Sequence, residues 1–266
     1  WSLFFTTTSE LGSIATHVEA QEAVPIMKGQ IVSFGLTNSL VALNAANIPT
    51  ATTPRLDSSA RYTPLWACQA PNAGWELSAR LAIAEAAEPF VARNWNGFEF
   101  KGSDSAPLVA IHPQDRPNRD DRNTAIGLRH APVTVNAAGK MALVWGGTCY
   151  KAKGFKDQKL TKISARMTLD YYRTDLAAYL GGLFGGKKIK TSSAPRTSNT
   201  TDINAVKVAV YRWTKRLDDA DLFDGAEANR DAIKAAIVVS PTRIDVNVPF
   251  VPPADLDIIA PVGIQS

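Results

Sequence analysis

The sequence predicts an α/β core domain followed by an α+β C-terminal domain that ends in an edge-strand arm. Three observations favour this fold class. Strand-like and helix-like segments alternate over residues 1–150, as they do in α/β domains. Long amphipathic helices followed by strands occupy residues 151–266. The last apolar run follows Pro252-Pro253 and itself contains a proline, which favours a position at the edge of a sheet.

The core domain, residues 1–150, is built from short apolar runs that are separated by helical periodicity. The predicted strands cover residues 3–7, 31–36, 64–68, 108–111, 133–135 and 141–145. The predicted helices cover residues 9–23, 76–87 and 117–128, and a loop rich in Pro, Thr and Ser covers residues 48–63. The sequence starts inside a strand-like run, without Met or a basic leader, so we expect it to be a piece of a longer protein.

The C-terminal domain, residues 151–266, is predicted to begin with a helix over 161–180 that ends at Gly181-Gly182. A basic loop over 187–201 follows, and then a second helix over 202–217. This helix has an apolar stripe about 80° wide, and its basic side chains point the opposite way. The stripe consists of Ile203, Val206, Val210, Trp213 and Leu217. A helical turn over 226–234 and strands over 244–250 and 256–264 complete the prediction.

The two C-terminal strands have the alternation of strands with one buried face. The second strand lies behind the Pro252-Pro253 hinge, in an arm at about residues 254–266. A strand on such an arm is typical of one that is donated to the sheet of a neighbouring molecule. We therefore predict inter-subunit strand pairing through eight apolar residues: Leu256, Ile258, Ile259, Val262, Ile264, Ile244, Val246 and Val248.

The charge is unevenly distributed along the chain. Residues 151–216 contain 15 Lys/Arg and 4 Asp/Glu, a net charge of +11, whereas residues 217–266 contain 3 and 9, a net charge of −6. The two blocks could neutralise each other within one domain. Alternatively, they could bind complementary surfaces on another copy or on an acidic partner.

The sequence argues against a metal, cofactor or catalytic site. His17, His112 and His130 are scattered, without metal-ligand spacing. Cys68 and Cys149 fit buried thiols in a reducing compartment, with a disulfide as the alternative. The Asp120-Asp121 pair lies between arginines and fits the start of a helix better than a catalytic pair. We predict no cofactor and no membrane insertion, because no run approaches the roughly 20 apolar residues of a membrane span.

Two further motifs are rejected. The segment 181–188, Gly-Gly-Leu-Phe-Gly-Gly-Lys-Lys, resembles a phosphate-binding loop, but it lacks the final hydroxyl residue and follows a helix instead of a strand. The nucleophile elbow of α/β hydrolases, Gly-x-Ser-x-Gly, is missing from the sequence. The basic block lacks interleaved aromatic residues for base stacking, so we predict no nucleic-acid partner.

The central and C-terminal portion resembles the contractile phage tail sheath proteins, most closely the Mu-like group. The resemblance covers about residues 100–266, whereas residues 1–100 agree only in the order of elements. No single motif is diagnostic, and the likeness lies in the order of five stretches: 123–148, 167–180, 206–224, 243–250 and 256–264.

The resemblance implies a structural subunit and not an enzyme. Such a subunit polymerises as stacked six-membered rings around a tail tube, exchanges strands with its neighbours, and contracts to drive the tube through the host envelope. The implied partners are further copies of itself, the tail tube protein, and the baseplate and tail terminator proteins. The implied location is the virion tail, assembled in the host cytoplasm. A sheath from a related injection particle (a tailocin) and a small α/β hydrolase remain the alternatives.

A sheath must hold its tube firmly enough to assemble and weakly enough to slide. Exposed charge pairs contribute only about 0.2–1 kcal/mol each, so they suit a sliding contact better than apolar burial does. We therefore expect a set of basic residues to face an acidic tube: Lys187, Lys188, Arg212, Lys215 and Arg216, with Lys190 nearby.

Overall fold

The computed structural model describes residues 16–17, 32–37, 39, 61–102, 108–150, 161–190, 197–239 and 243–253. The described chain divides into two compact units, the first ending at Arg166 and the second beginning at Met167. The predicted elements at 3–7 and 256–264 lie outside the described residues. Of the predicted helix 9–23 only Thr16 and His17 are described, and both are helical.

A four-stranded sheet forms the centre of the first unit. Its strands are β1 (Val32–Leu36), β2 (Tyr62–Trp66), β3 (Ala131–Val135) and β4 (Met141–Leu143), and they lie in that order. The pairs β1–β2 and β2–β3 are parallel, and β3–β4 is an antiparallel hairpin. Mixed parallel and antiparallel pairing with helical connections confirms the predicted α/β character of this unit.

Strand β2 begins two residues before the predicted start at Pro64. The strand also ends at Trp66, two residues before the predicted end at Cys68. In the structure Pro64 lies in the middle of β2 and is aligned with Phe34, but pairing with β3 begins only at Leu65. The proline therefore lies where one side of the ladder has not yet formed.

Helix α1 (Gly74–Ala87) packs on β1 and β2, close to its predicted bounds. Its inner face buries Leu77 and Leu81 completely. The helix backbone comes so close to the sheet that a Cβ at Gly35 would lie 2.0 Å from the carbonyl oxygen of Gly74. Only glycine allows this approach, and it fixes the start of α1 against the end of β1.

Residues 108–111 do not form the predicted strand. The side-chain amide of Asn72 instead makes both hydrogen bonds of Val109 that a neighbouring strand would make. Asn72 Nδ2 donates to the Val109 carbonyl at 2.6 Å, and Asn72 Oδ1 accepts from the Val109 N–H at 3.1 Å. The Asn72 side chain thus satisfies the backbone hydrogen-bonding groups of Val109. The apolar residues of the segment 108–111 could not indicate this from the sequence.

Helix α2 (Arg119–Gly127) confirms the interpretation of the Asp120-Asp121 pair as a helix start. Asn118 accepts a hydrogen bond from the Asp121 N–H at 2.9 Å, and the Asp121 carboxylate accepts one from the Asn118 N–H at 3.0 Å. This reciprocal pair is a capping box.

The two predicted strands at 133–135 and 141–145 are likewise found, as β3 and β4, with β4 ending at Leu143. Neither Cys68 nor Cys149 forms a disulfide.

Helix α3 (Ile163–Phe184) is longer than predicted. The prediction that Gly181-Gly182 ends the helix is wrong, because the helix runs through both glycines. The left-handed conformation that ends a helix occurs at Gly186, with φ +76°. A Cβ at Gly181 or Gly182 would meet no atom within 4 Å, so neither glycine is required by packing within the chain.

The second unit also contains helix α4 (Ile203–Asp218), capped by Asp202, which confirms the predicted helix and its apolar stripe. Two short parallel strands, β5 (Lys188–Ile189) and β6 (Thr200–Thr201), lie within the predicted loop 187–201. The predicted turn over 226–234 includes a short 3-10 helix at Arg230–Ala232. Strand β7 (Lys234–Val239) was not predicted, and β8 (Arg243–Asn247) ends three residues before its predicted end.

Candidate assembly surfaces

Strands β7 and β8 form an antiparallel hairpin with a register shift between Ile237 and Val239. Among the residues that the structure describes, these strands pair only with each other. A two-stranded sheet has two outer edges, and each edge can accept a further strand. The hairpin is therefore the candidate acceptor for an added strand.

Three of the eight residues predicted for inter-subunit strand pairing lie in or just after β8. Ile244, Val246 and Val248 are half-buried and pack against a cluster formed by Val206 and Val210 of α4 with Ile233. Their apolar face thus lies on their own helix, which holds the hairpin in place. The remaining five residues of the set fall outside the described part of the chain: Leu256, Ile258, Ile259, Val262 and Ile264.

The chain leaves the hairpin through an aromatic cluster centred on Tyr172 of α3. The Tyr172 ring lies 5.4 Å from Trp213, 6.0 Å from Phe223 and 5.6 Å from Phe250. Its hydroxyl donates to the Leu222 carbonyl. Burial raises the pKa of Tyr172 above its usual range, so the hydroxyl stays protonated as a donor. The cluster fixes the direction in which the chain runs towards Pro253.

The backbone after this cluster is also held. The Asp224 N–H donates to the Val251 carbonyl at 2.8 Å. The segment that leads to the predicted arm is therefore anchored by one aromatic ring and one main-chain hydrogen bond. An arm that starts from a fixed point reaches a defined region of a neighbouring molecule, and less conformational entropy is lost when it binds.

Asp175 of α3 joins two residues of α4. Its Oδ2 accepts a hydrogen bond from Trp213 Nε1 at 2.6 Å and also forms an ion pair with Arg216. The Arg216 guanidinium lies 5.4 Å from the centre of the Tyr179 ring. Arg216, predicted to face a tube, thus packs against α3, although its side chain remains half-exposed.

The other four basic residues of the predicted tube-facing set are exposed: Lys187, Lys188, Arg212 and Lys215. None of them forms an ion pair with a residue of the described segments. Lys187 Nζ lies 5.6 Å from the Phe184 ring at the end of α3. Arg212 and Lys215 lie on the face of α4 opposite to the buried Val206 and Val210.

Two acidic residues, Asp218 at the end of α4 and Glu227 after it, are engaged with the loop that follows the helix. Asp218 accepts hydrogen bonds from the Gly225 and Ala226 N–H groups at 3.2 and 2.9 Å. Glu227 accepts from the Tyr211 hydroxyl and lies 3.6 Å from Arg230. These carboxylates stabilise the loop and do not neutralise the four exposed basic side chains.

The described residues hold no cluster of three or more His, Cys, Asp or Glu side chains that could bind a metal ion. Among the helices of the described segments, none is long and apolar enough to cross a membrane. The glycines of the segment 181–188 lie in or directly after helix α3, where a phosphate-binding loop would have to leave a strand.

Sequence reasoning missed Tyr172, Asp175 and strand β7. The helix spacing of Trp213 and Arg216 places both on neighbouring positions of one turn, which could have indicated a shared acceptor. Nothing in the sequence around Asp175 identified that acceptor. The alanines of the run Lys-Ala-Ala-Ile at 234–237 favoured helix, and pairing with β8 overrides that preference.

No protein-family model matches the sequence, and no curated protein matches it either. Solved structures do match. A chain of the cryo-EM structure of the anti-feeding prophage baseplate superimposes with a TM-score of 0.60 at 12% identity, covering 97% of this chain and 65% of that one. A chain of the contracted sheath complex of PVC, an extracellular contractile injection system, gives a TM-score of 0.61 at 12% identity, covering 95% and 68%.

The crystal structure of a sheath tail protein from Desulfitobacterium hafniense also matches, with a TM-score of 0.51 at 9% identity, covering 87% of this chain and 54% of that one. The chain therefore spans between 54% and 68% of the length of these three structures. The likeness shows that this mixed α/β chain shares the fold of contractile sheath proteins.

Proposed function

We propose that this chain is a structural subunit of a contractile sheath and polymerises around a tube. The observation that carries the proposal is the match, over 87–97% of the chain, to chains of the anti-feeding prophage baseplate, the contracted PVC sheath complex and a sheath tail protein. A likeness that runs through both units is more than a shared local motif, although fold alone does not define function. The role is structural, and we assign no catalytic residue and no cofactor.

The assembly follows from strand addition between copies. In this proposal the arm at residues 254–266 of one copy pairs with an edge of the β7–β8 hairpin of its neighbour. Each added strand supplies main-chain hydrogen bonds and places alternate apolar side chains in pockets. A contact between different surfaces that does not close generates a helical polymer, which is the geometry of a sheath.

The basic surface gives the polymer a way to hold its tube. The exposed side chains of Lys187, Lys188, Arg212 and Lys215 have no ion-pair partner in the described segments. An acidic tube surface would compensate them with contacts that salt weakens, which suits a sheath that must slide. Arg216 adds its exposed half to this surface while Asp175 holds it.

The proposal includes stacked six-membered rings, contraction that drives the tube through the host envelope, and baseplate and tail terminator proteins as further partners. A phage tail of the Mu-like type, assembled in the host cytoplasm, is one setting. A sheath of an extracellular injection particle is the second candidate, favoured by the matches to the anti-feeding prophage and to PVC. Particles purified from the producing cells separate the two, because only a phage carries a capsid filled with DNA.

Self-assembly of the purified chain tests the proposal. Sedimentation velocity should show large polymers whose formation depends on concentration, and purified tubes should promote it. A chain that stays monomeric at every concentration, with or without tubes, contradicts the proposal. Esterase and peptidase assays on the same sample would reveal the hydrolase alternative.

A further inference from the structure

The outer face of α1 is apolar and exposed. Its four residues, Trp75, Ala79, Ile83 and Ala86, fall within about 80° of arc at 100° per residue. Trp75 is 51% exposed and Ile83 is 69% exposed. A contiguous exposed apolar surface of this kind marks a protein-binding site more often than isolated apolar residues do.

Helix α3 has an exposed face that is formed by small residues, whereas the outer face of α1 includes the large side chains of Trp75 and Ile83. From Thr174 to Gly185, which directly follows the helix, this face has no side chain larger than threonine. Its exposed members are Thr174, Ala177, Ala178, Gly181, Gly182 and Gly185. Glycine inside a helix is less stable than alanine at the same position, because it loses more backbone freedom on folding. A Cβ at Gly181 or Gly182 would meet nothing within 4 Å, so packing within the chain does not account for these glycines.

We propose that the outer face of α1 binds the small-residue face of α3 in a neighbouring copy of this chain. The inference rests on the proposed function, which supplies the neighbouring copy. Trp75 and Ile83 are eight residues apart on α1, and eight helical residues span about 12 Å. Ala177 of α3 and Gly185, which directly follows the last residue of α3, are also eight residues apart. In an antiparallel arrangement Trp75 packs on Gly185, Ala79 on Gly181 and Ile83 on Ala177.

The charges at the ends of the two faces are complementary in this arrangement. Glu76, in the first turn of α1, forms no ion pair with a residue that the structure describes. Lys187 follows the end of α3 and is likewise without an ion pair there. Antiparallel packing brings the start of α1 beside the end of α3, and therefore Glu76 beside Lys187. In this arrangement Lys187 contacts the neighbouring copy, and Lys188, Arg212 and Lys215 remain to face the tube. The opposite charges favour a second copy in this orientation over the parallel one.

The two surfaces differ, so the contact is heterologous and can be repeated from copy to copy. Small residues let the helix backbones approach closely, and the large residues fill the space between them. A larger side chain at Gly181 would therefore block the contact without disturbing the isolated chain.

Substitutions at Gly181 test this inference, because they should stabilise the isolated chain and at the same time weaken its self-assembly. Gly181→Ala should raise the thermal unfolding midpoint of the unassembled chain, because alanine favours helix. It should also raise the concentration needed for self-assembly, and Gly181→Leu should raise that concentration by about tenfold or more through overpacking. Gly127→Ala is the matched control, since a Cβ there also meets nothing within 4 Å. The control should leave assembly unchanged.

On the α1 side, Ile83→Asp should weaken assembly, whereas Val208→Asp, at a residue that is 51% exposed on α4, should not. Mixing Ile83→Cys chains with Ala177→Cys chains should give a disulfide-linked dimer that neither variant forms alone. If wild-type chains assemble and both Gly181 variants assemble equally well, the inference is wrong and the proposed function stands. If wild-type chains do not assemble at all, both are wrong.

Discussion

Trp213 donates its indole N–H to the carboxylate of Asp175, with 2.6 Å between Nε1 and Oδ2, and this bond joins the middle of α4 to α3. Trp213 is only 1% exposed, so its N–H has no access to water if the acceptor is lost. The same carboxylate holds Arg216. The Asp175 side chain therefore holds one buried residue and one half-exposed residue of α4 against α3.

Asp175→Ala should lower the free energy of unfolding of the second unit by about 1–3 kcal/mol, because it leaves a buried donor without a partner. Asp175→Asn should cost less, since its side-chain oxygen still accepts from Trp213. Urea denaturation monitored by tryptophan fluorescence measures the change. Arg216→Gln is the control and should cost no more than about 1 kcal/mol, because that ion pair is half-exposed. Equal losses for Asp175→Ala and Arg216→Gln would contradict this account of the bond.

The stability of the chain should depend on pH through Glu85 and His130. Burial raises the pKa of Glu85 from 4.5 to about 8 and lowers the pKa of His130 from 6.5 to about 4. Glu85 keeps its proton in the folded state, so its contribution to stability is lost as the pH rises from 4.5 to 8. His130 stays neutral when folded, so its contribution is lost as the pH falls from 6.5 to 4.

The two effects oppose each other between pH 4.5 and 6.5, and only the Glu85 effect acts above pH 6.5. The free energy of unfolding should therefore fall by about 2 kcal/mol between pH 6.5 and pH 8. Chemical denaturation at a series of pH values measures it. In Glu85→Gln this fall should disappear. A fall of the same size in Glu85→Gln would assign the pH dependence to another group.

Removal of residues 254–266 should leave a folded, soluble monomer that does not polymerise. The cluster around Tyr172 and the β7–β8 hairpin lie outside the deleted segment, so the second unit keeps its core. Circular dichroism and sedimentation velocity measure fold and assembly separately. Regular polymers formed by the shortened chain would rule out the donated strand.

Reversal of the basic surface should separate tube binding from self-assembly. Lys215→Glu with Arg216→Glu tests the predicted set, but Arg216→Glu also places a carboxylate beside Asp175. Arg212→Glu with Lys215→Glu is therefore the sharper variant, because neither residue has an ion-pair partner in the described segments. This variant should self-assemble but fail to co-sediment with purified tubes. High salt should likewise prevent the wild-type chain from co-sedimenting with tubes, because salt screens the charges. Lys101→Glu, an exposed lysine of the first unit, is the control. Wild-type binding of the double variant to tubes would eliminate this surface as the tube contact.

Elements that follow from the spacing of apolar residues in their own segment were predicted correctly from the sequence. The apolar stripe of α4 and the hairpin β3–β4 are local patterns, and both were found. Residues 108–111 and Gly181-Gly182 were misassigned for a common reason. A distant side chain, Asn72, satisfies the Val109 backbone, and α3 continues through glycines that a local rule treats as a helix end.

The candidate surfaces were predicted less completely than the elements. Alternation identified Ile244 and Val246 as strand residues, but it could not show that their apolar face lies on Val206 and Val210 of the same chain. Charge counting identified the basic block. It could not separate Arg216, held by Asp175, from Arg212, which has no ion-pair partner in the described segments, because ion pairing depends on α3 being beside α4.

Negative-stain electron microscopy of the full-length protein, alone and mixed with purified tubes, tests the central claim most directly. The account predicts regular tubes or cogwheel-shaped rings that enclose the added tube, and their loss when residues 254–266 are removed. Dispersed single particles of the full-length protein at high concentration, with and without tubes, would contradict it.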